Sequence, residues 1–127
     1  MKKILVTGGS GFIGNNLVNF LLKRNYFVIN VDKLTYASNN LKRGRNYKFY
    51  NLDINNKKKL IQILSTYKPS AIFNLAAETH VDRSIDGPKN FINSNIIGVF
   101  NLLECLRDLK KRKIKTKLIH ISTDEVY

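Results

Sequence analysis

Apolar residues in this chain fall into short runs, which alternate with longer segments where they recur at helical spacing. The short runs combine aliphatic, β-branched and aromatic residues, a pattern typical of buried strands. The longer segments predict amphipathic helices between them. The predicted strands are residues 3–7, 26–31, 47–51, 71–75 and 117–121, and the predicted helices run from Phe12 to Arg24, from Asn55 or Asn56 to Tyr67, and from Lys89 to Lys111.

Turn-forming residues mark the limits of these elements. The polar stretch from Ser38 to Gly44 predicts a loop, Pro69 ends the second helix, and Pro88 suits the first turn of the third. The positions predicted to face inward are Ile13, Leu17, Phe20 and Leu21 in the first helix, Leu60, Ile63 and Leu64 in the second, and Phe91, Ile92, Asn95, Ile96, Val99, Leu102, Leu103 and Leu106 in the third.

The alternation of strands and helices predicts an α/β fold: a Rossmann-type, doubly wound parallel sheet with helices on both faces. Right-handed crossovers favour the strand order 3-2-1-4-5. Residues 1–127 would form one domain. Since a complete doubly wound sheet has about six strands, we expect the last strands to lie outside this chain.

Composition narrows the class of protein. The 127 residues are 43% hydrophobic, which suits a folded domain with its own core. With no long apolar run and no signal peptide, we expect a cytoplasmic protein without a membrane partner. Cys105, the single cysteine, excludes an internal disulfide and suits core packing. The net charge of +13 favours anionic partners, but the lysines form no recognition motif, so we expect no nucleic-acid partner.

A glycine-rich turn follows the first strand, in the segment Thr7–Gly14. Gly9, Gly11 and Gly14 match the pattern G-x-G-x-x-G, and Gly8, Gly11 and Gly14 match G-x-x-G-x-x-G. Such glycines let the backbone approach a pyrophosphate, which then lies at the positive N-terminal end of the next helix. Because the motif follows a strand and opens a helix, it predicts a dinucleotide site.

Asp32 lies at the end of the second predicted strand, 18 residues beyond Gly14. A carboxylate at this place can accept both ribose hydroxyls of an adenosine and repels a 2′-phosphate. The sequence therefore favours NAD over NADP, although the adjacent cation of Lys33 weakens the discrimination.

The ends of the third and fourth strands carry further candidates, at the edge where ligands of such sheets bind. Asp53 and Ile54 follow the third strand, near the expected adenine, although Asp53 also suits a turn or a helix cap. Residues 75–80 follow the fourth strand. There Ala76 and Ala77 leave room for a cofactor and also suit close packing.

The fifth strand ends in a cluster of polar residues, Ser122–Glu125. Two carboxylates beside a hydroxyl can supply an acid, a base and a substrate hydrogen bond, and two surface acids are the simpler alternative. His120, inside the same strand, is expected to be packed. No metal site is expected.

In this order the motifs resemble the extended short-chain dehydrogenase/reductase family of nucleotide-sugar enzymes. The stretches that carry the resemblance are Thr7–Gly14, Val31–Ala37, Asn74–Ser84 and Ser122–Tyr127, of which the glycine turn only places the chain in the family as a whole. Two segments are similar more narrowly to its 4,6-dehydratases: Ala-Glu-Thr-His-Val-Asp-Arg-Ser from Ala77, and Ser-Thr-Asp-Glu-Val-Tyr from Ser122.

The resemblance implies an NAD-dependent lyase that dehydrates a nucleotide sugar, dTDP-glucose, and acts as a homodimer through the long helix from Lys89. It also implies that residues 1–127 are the N-terminal portion of the NAD-binding Rossmann domain, and that a C-terminal substrate domain lies outside this chain. Hydride leaves C4, water is eliminated across C5 and C6, and hydride returns to C6. Asp124 would protonate the departing hydroxyl and Glu125 would remove the C5 proton, while Thr79 and Thr123 bind the sugar. The implied cofactor residues are Gly8, Gly11, Phe12, Ile13, Gly14, Asp32, Lys33, Leu34, Thr35, Asp53, Ile54, Leu75, Ala76, Ala77, Glu78, Thr79 and Ser94.

The sequence also departs from this family. Ser38 and Ser94 replace a usual glycine and a usual threonine, and the Tyr-x-x-x-Lys pair of the hydride step is absent, so we expect the chain alone to be inactive. The alternatives are part of a UDP- or GDP-sugar dehydratase, part of an epimerase, or a non-catalytic dinucleotide-binding module. The pair Asp124 and Glu125 argues against an epimerase, which needs no acid for elimination.

Overall fold

Strands and helices alternate through the chain in the computed structural model, which describes residues 1–33, 44–75 and 98–121. The described elements are β1 (Lys3–Thr7), α1 (Phe12–Lys23), β2 (Phe27–Asp32), β3 (Tyr47–Asn51), α2 (Lys57–Tyr67), β4 (Ala71–Asn74), α3 (Gly98–Lys111) and β5 (Lys117–His120). Most predicted bounds differ from these by no more than a residue, while the predicted loop from Ser38 and the predicted start of the third helix at Lys89 lie outside the described residues.

The strands form one parallel sheet in the order β3-β2-β1-β4-β5, which confirms the predicted topology and fold class. Pairing places Thr7 beside Val31 on one side and beside Asn74 on the other, and Asn74 beside His120. The carboxyl ends of all the strands therefore meet at one edge of the sheet, where ligands of doubly wound folds bind.

The two faces of the sheet bury separate apolar cores. On one face α1 covers β1 and β2, and its core consists of Ile4, Val6, Val18, Leu21 and Val28. On the other face α2 and α3 pack side by side over a larger core: Leu5, Ile29, Val31, Ile54, Leu60, Ile63, Leu64, Ile72, Leu102, Cys105 and Leu109. The predicted inward face of α2 is confirmed.

The predicted inward face of α1 is confirmed at Leu17 and Leu21, which pack in the core, and wrong at Ile13 and Phe20, which are 67% and 51% exposed. Gly14 and Val18 face the sheet in their place. Helix α1 is rotated relative to the prediction because Gly14 lies against the glycine turn. Glycine has no side chain, so a count of apolar residues does not mark Gly14 as an inward position. In α3, Leu103 is likewise exposed, and Gly98, Leu102, Cys105 and Leu109 form the buried stripe.

Cys105 is fully buried on α3, as the sequence predicted. Burial, slightly offset by the nearby Lys57 ammonium, raises the pKa of its thiol to about 11. At pH 8 only on the order of 0.1% of it is thiolate, the reactive form. We therefore expect no reaction of the native chain with a disulfide reagent at pH 8, and one thiol titrated per chain in urea. Rapid labelling of the native chain would contradict the buried position.

Candidate functional site

The turn between β1 and α1 is held in place by its own backbone. Gly8 has φ of 76°, a left-handed conformation that glycine adopts without strain. Its N–H donates to the carbonyl of Val31 at 2.8 Å, and its carbonyl accepts from the N–H of Gly11 at 3.2 Å. The turn is therefore anchored to β2 at its first residue and folds back at its fourth.

The three later glycines of the turn differ in what surrounds them. A Cβ on Gly9 would overlap the amide of Asn30, and one on Gly14 would overlap the carbonyl of Gly8 and lie 2.8 Å from the Cα of Gly9. Among the described residues, a Cβ on Gly11 would meet only the carbonyl of Gly8 at 3.5 Å, an ordinary contact. The described part of the fold thus requires glycine at positions 9 and 14 but leaves room at position 11.

Helix α1 begins at Phe12, and its N-cap residue, Gly11, has no side chain with which to cap the first turn. That turn also contains no acidic residue, so the partial positive charge of the helix end is not neutralised by its own sequence. The side chain of Phe12 is 82% exposed, and that of Ile13 also extends outward. Backbone donors at this end can therefore receive an anion.

Asp32 lies next to the turn, as predicted. It is 7% exposed, and its Oδ2 accepts a hydrogen bond from the N–H of Ser10 at 2.9 Å. Its backbone carbonyl accepts from the N–H of Leu52 at 3.1 Å, which brings the end of β3 alongside. The neighbouring Lys33 is exposed. The structure therefore joins the two strongest sequence motifs, the glycine turn and the carboxylate of β2, through one hydrogen bond.

Asn30, which the sequence analysis missed, is fully buried on the same face of β2 as Asp32. Its Oδ1 accepts from the N–H of Gly9 at 2.9 Å, and its Nδ2 donates to the hydroxyls of Ser10 and Tyr47, each at 3.0 Å. The sequence did contain a signal for its role: Asn30 is an amide inside an otherwise apolar stretch of strand, two residues before Asp32.

The Asp53 carboxylate forms part of a turn. Its Oδ1 accepts from the N–H of Asn55 at 2.9 Å, and its carbonyl accepts from the N–H of Asn56. The side chain of Asn56 in turn caps α2 by accepting from the N–H of Lys59. Ile54 is buried in the core beneath. The structure thus shows the turn role of Asp53 that the sequence left open, on the loop beside Asp32.

A row of polar side chains crosses the carboxyl ends of β1, β4 and β5. The hydroxyl of Thr7 donates to Oδ1 of Asn74, whose Nδ2 lies 3.0 Å from Nδ1 of His120. The N–H of Leu75 donates to the Thr7 carbonyl at 2.9 Å, which sets the start of the segment after β4. His120 is exposed, so the prediction that it is packed is wrong: it is the last residue of β5, which lies at the edge of the described sheet.

Many candidate residues lie outside the described part of the chain: Leu34, Thr35, Ala76, Ala77, Glu78, Thr79, Ser94, Thr123, Asp124 and Glu125. In the three described segments, no cluster of His, Cys, Asp and Glu side chains could hold a metal ion. Within the same segments, no helix is long and apolar enough to cross a membrane.

The sequence was compared with known families and proteins. A model of the GDP-mannose 4,6 dehydratase family matches residues 5–127. The chain belongs to this family. Among its relatives, a probable dTDP-glucose 4,6-dehydratase of Sinorhizobium fredii is 47% identical over 135 residues, covering 98% of this chain and 39% of that protein. The predicted resemblance to nucleotide-sugar 4,6-dehydratases is thus confirmed.

Solved structures agree with this assignment. The dTDP-glucose 4,6-dehydratase of Bacillus anthracis in complex with NAD matches with a TM-score of 0.81 and 38% identity, over 100% of this chain and 39% of that one. The UDP-glucose 4-epimerase of Thermotoga maritima with UDP-glucose matches with a TM-score of 0.84 and 36% identity, over 95% of this chain and 38% of that one. The chain spans about two-fifths of the length of these relatives.

Proposed function

We propose that this chain binds NAD and is the cofactor-binding part of an enzyme that dehydrates dTDP-glucose to dTDP-4-dehydro-6-deoxyglucose. The observation that carries the proposal is the hydrogen bond from the N–H of Ser10 to Oδ2 of Asp32, which sets the pyrophosphate turn and the ribose carboxylate side by side. Relatives named as dTDP-glucose 4,6-dehydratases support the substrate.

The described residues fit a dinucleotide. Among the described residues, a Cβ on Gly11 would meet only the Gly8 carbonyl, so the backbone there can come close to a pyrophosphate at the N-terminal end of α1. There the N–H groups of Phe12 and Ile13 would donate to phosphate oxygens. Asp32, at the end of β2, would accept the ribose hydroxyls, and its charge would exclude the 2′-phosphate of NADP. The loop of Asp53 and Ile54 would border the adenine.

When bound, NAD would accept a hydride from C4 of the sugar and return it to C6. The residues that follow β5 would carry out the elimination between these steps. Thr123 would hydrogen-bond the hexose, Asp124 would protonate the C6 hydroxyl as it leaves, and Glu125 would remove the proton from C5. An acid and a base on opposite ends of the breaking bonds are what loss of water requires. An epimerase has no such need, so the pair favours a dehydratase.

We also propose that α3 contributes to a homodimer of the complete enzyme. Phe100 and Leu103 are exposed at helical spacing on its outer side. Exposed apolar side chains at such spacing suit packing against a second helix.

Calorimetric titration of the 127-residue chain with NAD and with NADP tests the cofactor proposal. We expect saturable binding of NAD at least about tenfold tighter than that of NADP, because the Asp32 carboxylate repels the 2′-phosphate. We expect no conversion of dTDP-glucose by the NAD-loaded chain, since no Tyr-x-x-x-Lys occurs in its sequence. A folded chain, shown by circular dichroism, that binds neither dinucleotide would overturn the proposal.

A further inference from the structure

We propose that Asn30 is a positioning residue for the dinucleotide: it holds the glycine turn where the turn's amides meet the pyrophosphate. The inference rests on the proposed NAD-binding function. It concerns a side chain that is fully buried behind the turn and therefore acts on a ligand only through Gly9 and Ser10.

The hydrogen bonds of Asn30 define the orientation of its amide. A backbone N–H can only donate, so the atom facing Gly9 at 2.9 Å is the carbonyl oxygen Oδ1. The amide nitrogen Nδ2 then donates both hydrogens, one to the hydroxyl of Ser10 and one to that of Tyr47. Neither turn residue can shift without leaving a buried polar group of Asn30 unpaired.

The turn rests directly on this amide. A Cβ on Gly9 would overlap the Oδ1 and lie 2.6 Å from the Cγ of Asn30, so no other side chain separates the two. Asp32, two residues further along β2 and on the same face, binds the N–H of Ser10. Two side chains of one strand thus hold two successive residues of the turn.

The two holding residues have different tasks. Asp32 lies at the end of the strand, where it would also bind the ribose, whereas Asn30 has no exposed surface with which to touch a ligand. Loss of Asn30 should therefore weaken recognition of the pyrophosphate and leave recognition of the adenosine nearly unchanged. A merely structural residue would weaken both alike.

The variant Asn30→Leu tests this division, because leucine has nearly the same shape and no hydrogen-bonding atoms. We expect affinity for NAD and ADP to fall roughly tenfold or more, and affinity for adenosine to change by less than about twofold. Hydrogen exchange at the Gly9 amide should accelerate. The matched control is Tyr47→Phe, which removes the partner of Asn30 that lies outside the turn. It should leave NAD affinity within about twofold of the parent.

Urea unfolding of each variant shows that the binding measurements refer to folded protein. If Asn30→Leu does not fold, Asn30→Val, a smaller residue that favours strands, replaces it in the same titrations. Equal NAD affinity in the parent and the Asn30 variant, or equal losses for ADP and adenosine, would overturn the inference alone. A folded parent that binds no NAD would instead overturn the proposed function.

Discussion

Replacing Gly14 by alanine is expected to displace the glycine turn and abolish detectable NAD binding. The new methyl group would overlap the carbonyl of Gly8 and lie 2.8 Å from the Cα of Gly9, both backbone atoms that cannot turn aside. Such overpacking costs about 1–3 kcal/mol, more than the roughly 1 kcal/mol that alanine gains over glycine inside a helix. We expect a lower urea midpoint together with the loss of the calorimetric binding signal.

The same substitution at Gly11 is the matched control. Within the described part of the chain, its methyl group would meet only the Gly8 carbonyl at 3.5 Å, and the backbone there has φ of −75°, which alanine adopts freely. We expect the urea midpoint of Gly11→Ala to stay near that of the parent. NAD affinity should fall, because the methyl group would occupy the space into which the pyrophosphate is proposed to bind. If Gly11→Ala binds NAD like the parent, the dinucleotide does not approach the turn at this residue.

Asp32→Ala is expected to lower NAD affinity by at least roughly 100-fold, because two charge-assisted hydrogen bonds to the ribose are lost and each contributes about 1.5–3 kcal/mol. The preference for NAD over NADP should move toward equality, since the charge that repels the 2′-phosphate is gone. Parallel titrations with the two dinucleotides measure both effects.

Two further variants separate the causes. Asp32→Asn keeps an oxygen that can accept from the N–H of Ser10 but loses the charge, so a ratio of NAD to NADP affinity that moves toward equality in this variant too would show that the charge, and not the hold on the turn, causes the discrimination. Asp108→Asn removes a charge of the same sign on α3, where the carboxylate lies 4.0 Å from the Lys57 ammonium, and should not alter the ratio of the two affinities. An unchanged ratio in Asp32→Ala would refute the discriminating role.

The parts of the fold that follow from local patterns could be predicted from the sequence. The alternation of apolar runs and helical segments predicted the strands. The preference for right-handed crossovers then predicted the strand order β3-β2-β1-β4-β5, which the sheet adopts. The glycine spacing and Asp32 predicted the dinucleotide site because the chemistry of pyrophosphate and ribose demands those residue types within one strand–turn–helix–strand unit.

Other features depended on contacts between distant residues. The exposure of His120 depends on its place at the end of β5, at the edge of the described sheet, which its neighbours in sequence do not encode. The rotation of α1 follows from the close fit of Gly14 against Gly8. Gly14 faces inward, but because it has no side chain, the hydrophobic pattern of the sequence does not show this.

The sequence by itself determined which chemistry this protein carries: a parallel sheet, a glycine turn after β1 and a carboxylate at the end of β2. Only the tertiary structure decided how that chemistry is held. In the sequence, Asn30 looks like an ordinary polar residue of a strand. Its role becomes visible only in the folded chain, where Gly9, Ser10 and Tyr47 contact its amide. The physical reason is that a buried amide must find its hydrogen-bond partners across the fold, and that partnership is visible only when the strands and the turn are packed together.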